Sequence, residues 1–363
     1  MDWNKQKNKY ALLLKTGDAE LRAAKYFSDL KDIFPIIELT RGRKSKNDKE
    51  GDVQKRLKQV GEIFRNKDII LDITSDSALS NPTINNLYNP KDGYIAWIDF
   101  LSNISSLNIF NKIYPTIMVN WEDDTNIEEN IRKEVESLCK QFDGIVYRNN
   151  IEDTGYLDDI ELIKKNLQTK STDFIFIIDC TYLLPASINN CVETATKRIR
   201  EISKILPQTV FILTATSYPN NVGDSDYDTI KLTEVLFYNK VKEEFPSQTI
   251  LYGDYGSINP IRNDEVSMAR GWRPKIDVPL SAELYYYRRR KGKEKYYSPV
   301  YNLVAKEVIK DTRFPYELNH IWGVQQILNC AEGGAPGATP SFWISVRVNI
   351  HVEQQLKRLG LLS

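Results

Sequence analysis

Eight short apolar runs, each five to seven residues long, recur about once per thirty to forty residues through the first 255 positions, at 10–15, 34–39, 68–73, 113–119, 144–148, 174–179, 210–215 and 250–254. They are rich in Ile, Val, Leu, Phe and Tyr, and amphipathic segments separate them, with apolar residues at three- and four-residue spacing over 53–64, 127–139, 158–167, 191–206 and 229–245. Runs apolar throughout read as strands buried on both faces, and the helices between them are the crossovers that parallel neighbours require. An antiparallel sandwich has no use for such crossovers. Eight strand–helix units predict an α/β chain folded as a closed (β/α)8, TIM-like barrel, and the span matches the roughly 250 residues such barrels take. The weakest repeat is 81–107, where two prolines and Asn-rich turns interrupt the pattern and a broken third helix or an insertion is expected.

After Gly256 the character changes. Pro- and Gly-punctuated segments predict an irregular insertion over 256–296 that contains a strand at 283–288, and the last barrel helix is expected to be delayed to 298–311. The barrel then spans 1–312, and 313–363 forms a C-terminal α+β appendage packed on it: a helix at 319–330, a Gly/Pro-rich loop at 333–340, a strand at 342–346 and a helix at 349–359.

No apolar run approaches the roughly 20 residues needed to span a bilayer. The opening Met1-Asp2-Trp3-Asn4-Lys5 lacks the order of a signal peptide, so a cytoplasmic protein is expected. Cys139, Cys180, Cys191 and Cys330 are far apart and show no zinc-ligand spacing; they read as reduced core thiols. The two histidines, His320 and His351, both follow the runs, so histidine chemistry inside the barrel is not expected. Zero net charge argues against a strong non-specific grip on nucleic acid. Charge is nevertheless segregated: 41–58 carries eight basic and three acidic residues, 262–306 eleven and five, and 122–161 four and thirteen. A basic face could meet an anionic ligand, or these could simply be solvated surfaces.

Ligands of such barrels bind where the strands end. The residues at those ends are Lys15, Glu38, Asp72, Asn120, Arg148, Asp179, Ser217 and Asp254. Burying this much charge costs several kcal/mol unless it is paired or binds a metal. Three readings stand. Glu38, Asp72, Asp179 and Asp254 could be catalytic as oxygen ligands of Mg or Mn, with the metal activating water. Two of them could work as general acid and base without metal, their acidities split by repulsion. Or the set is a ring of salt bridges. Lys15, Arg148, Ser217 and Tyr255, with Arg41 and Arg43 from the polar loop after the second run, are the candidate substrate-binding residues. In Tyr252-Gly253-Asp254-Tyr255-Gly256, glycines on either side of the acid allow close backbone approach. Ser217 lacks a base histidine and is a poor nucleophile candidate. Tyr285-Tyr286-Tyr287-Arg288-Arg289-Arg290-Lys291 reads either as a stacking surface for single-stranded nucleic acid or as an edge strand guarded by charge. Gly333 to Gly337 lacks the ending of a P-loop.

The order of these pieces resembles the phage Beta protein family: Lys15 with Gly17 and Glu20, Pro35-Ile36-Ile37-Glu38, Asp72, Arg148, Asp179, Ser217-Tyr218-Pro219, Tyr252-Gly253-Asp254-Tyr255, then Arg270-Gly271, Trp343 and Asn349-Ile350-His351. The family often carries two adjacent histidines near its end, whereas here Ile350 precedes His351. The resemblance implies a place in a phage-borne gene cluster that includes the growth-arresting Gop protein, hence a role in antiviral defence or phage exclusion. It supplies no reaction. Joined to the acidic strand ends, it suggests a metal-dependent hydrolase or nuclease on a phosphate-bearing substrate. The alternative is a non-catalytic sensor or antidote that binds a phage product or a toxic protein partner through the 41–58 loop and the tail.

Overall fold

The computed structural model describes residues 9–44, 46, 48–122, 124–167, 172–261 and 271–362. All eight runs are strands: β1 Tyr10–Lys15, β2 Ile33–Leu39, β3 Asp68–Ile73, β4 Lys112–Pro115, β5 Gly144–Asn150, β6 Asp173–Tyr182, β7 Val210–Thr216 and, as the eighth barrel strand, β9 Ile250–Asp254. They form one parallel sheet in the order β4-β3-β2-β1-β9-β7-β6-β5. The ring closes where Thr116 bridges Val146 and the Ile117 N–H reaches the Val146 carbonyl at 2.7 Å. The fold is therefore a (β/α)8 barrel.

Alternation along the strands sorts side chains into two layers. Ala11, Leu13, Ile36, Ile70, Val146 and Ile177 belong to the cluster that fills the interior. Tyr10, Leu12, Leu14, Ile37, Leu71 and Tyr252 belong to the larger one under the helices. Those helices are α1 Asp18–Ala24, α2 Val53–Ile63, the pair α3 Pro82–Leu87 and α4 Lys91–Ser106, α5 Ile127–Gln141, α6 Tyr156–Asn166, α7 Ile188–Ile205 and α8 Thr233–Glu244. The interrupted third repeat is thus a helix split in two between Leu87 and Lys91; Asn81, whose side chain accepts the Ile84 N–H, caps the first half, with Pro82 in its first turn.

Gly253 shows how tightly the interior is filled. It faces inward, and a Cβ there would lie 2.9 Å from Thr214 Cγ2 and 3.0 Å from the Ala11 carbonyl oxygen. Gly253→Ala is expected to cost about 1–3 kcal/mol through overpacking. Urea unfolding measures this, and an unchanged midpoint would refute it.

Three elements differ from the sequence reading. The helix expected over 229–245 begins at Thr233, because Tyr227–Lys231 is a strand, β8. It joins β10 Lys275–Pro279 and β11 Glu283–Arg288 in an antiparallel sheet ordered β10-β11-β8, so the insertion after residue 256 is built around a sheet that also recruits the loop after β7. β11 is consequently the central strand and not an edge, with Tyr285 and Tyr286 buried in place of offering a stacking surface. The third difference is the segment expected as a strand at 342–346, which lies inside one long helix, α11 Pro340–Arg358. Thr339 caps it by accepting the Phe342 N–H, and Pro340 occupies its first turn.

The helix α9 Ser298–Val308 does exist where the last barrel helix was expected, but its Val304 and Val308 lie in a second core with α10 Trp322–Glu332. α11 packs on α1 and β10, placing Val348, Val352 and Leu356 in the barrel's helix-side core and Trp343, Val346 and Ile350 in the second one. The four cysteines are buried and free. Among the described residues, no helix is long and apolar enough to cross a membrane.

Candidate active site

Alternation carries the strand-end charges to the same side as the interior apolar residues two positions earlier. Lys15 follows Leu13, Glu38 follows Ile36, Asp72 follows Ile70, Arg148 follows Val146 and Asp179 follows Ile177, so five charged groups converge at the C-terminal mouth. Strand pairing sets Lys15 opposite Glu38 and Glu38 opposite Asp72.

The Arg148 guanidinium stands at the centre. Its Nη1 donates to Glu38 Oε2 and to Asp72 Oδ2, each at 2.8 Å. Its Nε and Nη2 both donate to Asp179 Oδ2, at 3.0 and 2.7 Å. Tyr255, which follows inward-facing Gly253, donates its hydroxyl to Asp179 at 2.6 Å and accepts from Arg148 Nη2 at 3.0 Å. Lys15 Nζ lies 3.3 Å from Glu38 Oε1 and donates to the Pro260 carbonyl at 2.9 Å. Asp179 is held from behind by the Thr181 N–H at 2.9 Å, across a strand irregularity in which Thr181 takes a φ of 49°. A β-branched residue in that region is an outlier of the kind that clusters at functional sites.

Burial and charge move the two neighbouring acids apart. Burial alone would raise the Glu38 carboxyl, but Arg148 and Lys15, with a hydrogen bond from Thr74, bring it below its ordinary value. Burial raises the Asp72 carboxyl, and Arg148 only partly offsets this while Glu38 adds to it. Burial and the neighbouring Asp179 hold the Tyr255 phenol well above its usual range, so it stays protonated. The side chains of the three acids are 5–7% exposed, those of Lys15 and Arg148 13% and 17%, so the cations are what an incoming ligand meets first. Beside the mouth, a cavity of about 400 Å³ is lined by uncharged polar groups, including Thr74, Ser75, Ser77, Asn85, Tyr88 and Asn120.

Asp254 is not part of this group. It sits one position out of phase with Tyr255 and faces the helix layer, where His351 Nε2 of α11 approaches its Oδ2 at 2.8 Å. The Tyr252 hydroxyl donates to the same oxygen at 2.8 Å, while Tyr10 and the Gly256 N–H, the latter at 2.8 Å, bond to Oδ1. The proposed Mg or Mn ligand set of Glu38, Asp72, Asp179 and Asp254 therefore does not fit a divalent ion. One member points out of the barrel, and a guanidinium occupies the space among the other three. Among the described residues, no group of three or more His, Cys, Asp or Glu side chains is arranged to hold a metal.

The remaining candidates are peripheral. Arg41 ties its loop to the turn after β3, through its N–H to the Leu79 carbonyl at 2.8 Å and its Nε to that of Ala78 at 3.1 Å. Arg43 is exposed on the same loop. Ser217 is buried and its N–H meets Glu234 of α8 at 3.1 Å; burial pushes that carboxyl up to about 7. His351 was not legible as a partner of the barrel wall, since 97 residues separate it from Asp254. Thr74 lies just past the end of β3 and Thr181 near the end of β6, beyond its apolar run, and neither carried a charge signal.

The family model described as Beta protein matches residues 10–357 of this chain. Protein beta of Enterobacteria phage P4 is 26% identical over 361 residues, covering 96% of this chain and 93% of that protein. The chain belongs to the Beta protein family.

Proposed function

We propose that the barrel mouth hydrolyses a polar, phosphate-bearing substrate by general acid–base chemistry, and that this activity serves the conflict between phage and bacterium. The observation that carries the reading is the pair Glu38 and Asp72, side by side on one guanidinium nitrogen with their acidities displaced in opposite directions. Carboxyls driven apart in this way divide the two roles. Asp72, the more reluctant to ionise, gives its proton to the leaving oxygen, and Glu38 takes one from the attacking water. Lys15 receives the anionic group, since the five N–H groups of Arg148 are already given to the three acids and Tyr255, and the hydroxyl- and amide-lined cavity at Thr74 takes the remainder of the substrate.

One observation favours a second reading. All three mouth acids are already bonded to Arg148, which suits a preorganised recognition surface for a phage product or a toxic partner.

Asp72→Asn separates the two. The change removes a carboxyl that burial disfavours as an anion, so stability near neutral pH should be unchanged or slightly higher. Phage plating on cells that carry the protein with its neighbouring genes should rise on the order of 100-fold or more if acid catalysis is lost. Full protection from a normally melting variant would sink the catalytic reading and leave recognition.

A further inference from the structure

A second buried charge cluster flanks the mouth, outside the acid–base pair. Asp277 of β10 accepts from Arg347 Nη1 of α11 at 3.0 Å and from the Tyr218 hydroxyl at 3.2 Å, and Lys275 Nζ lies 3.1 Å from it. The Arg347 guanidinium is stacked 3.7 Å from the centre of the Tyr218 ring, and Lys275 also reaches the Tyr218 hydroxyl. The side chains of Asp277 and Arg347 are 3% and 4% exposed; that of Lys275 is 22% exposed and forms the opening to solvent.

Two cations here face one carboxylate. Among the described residues, Asp277 is the only acid within ion-pair distance of either, and Arg347 Nε is buried with no hydrogen-bond partner. Burial alone would raise the Asp277 carboxyl, yet Lys275 and Arg347 bring it below its ordinary value, so it is charged and one positive charge is left over. A buried excess charge is costly, and an anion that brings its own negative charge relieves it. The place is connected to the mouth through two consecutive residues: Asn259 Nδ2 donates to the Tyr218 carbonyl at 2.9 Å, and Pro260 accepts from Lys15.

We infer that Lys275, Arg347 and the Tyr218 hydroxyl form a phosphate-binding subsite beside the barrel mouth. The ammonium and guanidinium carry one charge more than Asp277 neutralises, Arg347 Nε has no acceptor, and the Tyr218 hydroxyl can turn its proton from Asp277 to a second acceptor, which suits an oxyanion with several acceptor oxygens better than a single further carboxylate. The subsite requires no catalysis at Glu38 and Asp72, so it stands or falls separately from the acid–base reading.

Titration calorimetry of the full chain with inorganic phosphate, and with acetate in parallel, tests this. Phosphate is expected to bind and acetate to bind more weakly. Lys275→Met should weaken phosphate by about tenfold or more, with Lys275→Arg restoring most of it. Tyr218→Phe, which removes one hydroxyl and keeps the ring against Arg347, should weaken it several-fold and serves if Lys275→Met fails to fold. Lys204→Met, a change of an exposed lysine at the end of α7, should leave this binding intact. Absence of phosphate binding, equal binding of acetate, or unchanged affinity in both Lys275→Met and Tyr218→Phe would overturn the subsite.

Discussion

Replacing Arg148 with methionine is expected to cost about 3–5 kcal/mol near neutral pH, because it leaves Glu38, Asp72 and Asp179 buried around an apolar chain. The pH dependence identifies the cause. In the native protein the Glu38 carboxyl lies below its ordinary value, so its contribution is present above the usual glutamate range and is lost as pH falls through the folded-state value. Without Arg148 the sign reverses. Burial and mutual repulsion then disfavour the charged forms of Glu38 and Asp72, and the variant gains stability as acid protonates them. The penalty should therefore shrink between about pH 7 and about pH 5. Urea unfolding at the two pH values measures it, and an equal penalty at both would show that packing, not charge, explains the loss. Arg148→Lys should not rescue fully, since one ammonium cannot reproduce the planar fork that serves three carboxylates and Tyr255.

The second large effect is expected at Asp254. Asp254→Ala leaves His351, Tyr10, Tyr252 and the Gly256 N–H without their shared acceptor in a region that is 0–1% exposed. A loss of about 3–5 kcal/mol follows from stranding so many buried polar groups. The melting temperature should fall on the order of 10 °C. Burial alone would raise the Asp254 carboxyl, but His351 brings it below its ordinary value, so this contribution too is present above the aspartate range and fades as pH falls. The same acid pins the turn in which Gly256 and Ser257 both take a φ of 60°, directly after Tyr255. Asp254 is thus a positioning residue for the mouth from outside it. A loss below about 1 kcal/mol would mean that the four partners find other bonds.

The eight strands were legible because a strand buried on both faces must be apolar along its whole length. That same property hid which face each residue occupies. Within a run such as Ile250 to Asp254 nothing marks the inward set, and taking the last polar residue of each run placed Asp254 with acids it never meets. Stepping by two from Gly253 leads to Tyr255, which does reach Asp179. β8 escaped notice because Tyr227-Asp228-Thr229-Ile230-Lys231 has no apolar face of its own and is defined by pairing with β11, more than fifty residues later. In Phe342 to Val346, aromatic and β-branched residues outweighed the Thr339-Pro340 start signal, which packing against two cores then favoured.

The first and last barrel strands meet beneath α11, and this bears on how the chain is made. β1 pairs with β9, Tyr10 bonds Asp254 from 244 positions away, and the helix covering this seam ends at Arg358. While the chain emerges from the ribosome, the strands can assemble in order only as an open sheet, whose first-made edge waits for almost the entire remaining sequence. Contacts between such distant positions slow folding and leave strand edges exposed to other chains. The seam at Asp254 and His351 is therefore where nascent chains are most open to misassembly, and the step that commits them to the finished barrel.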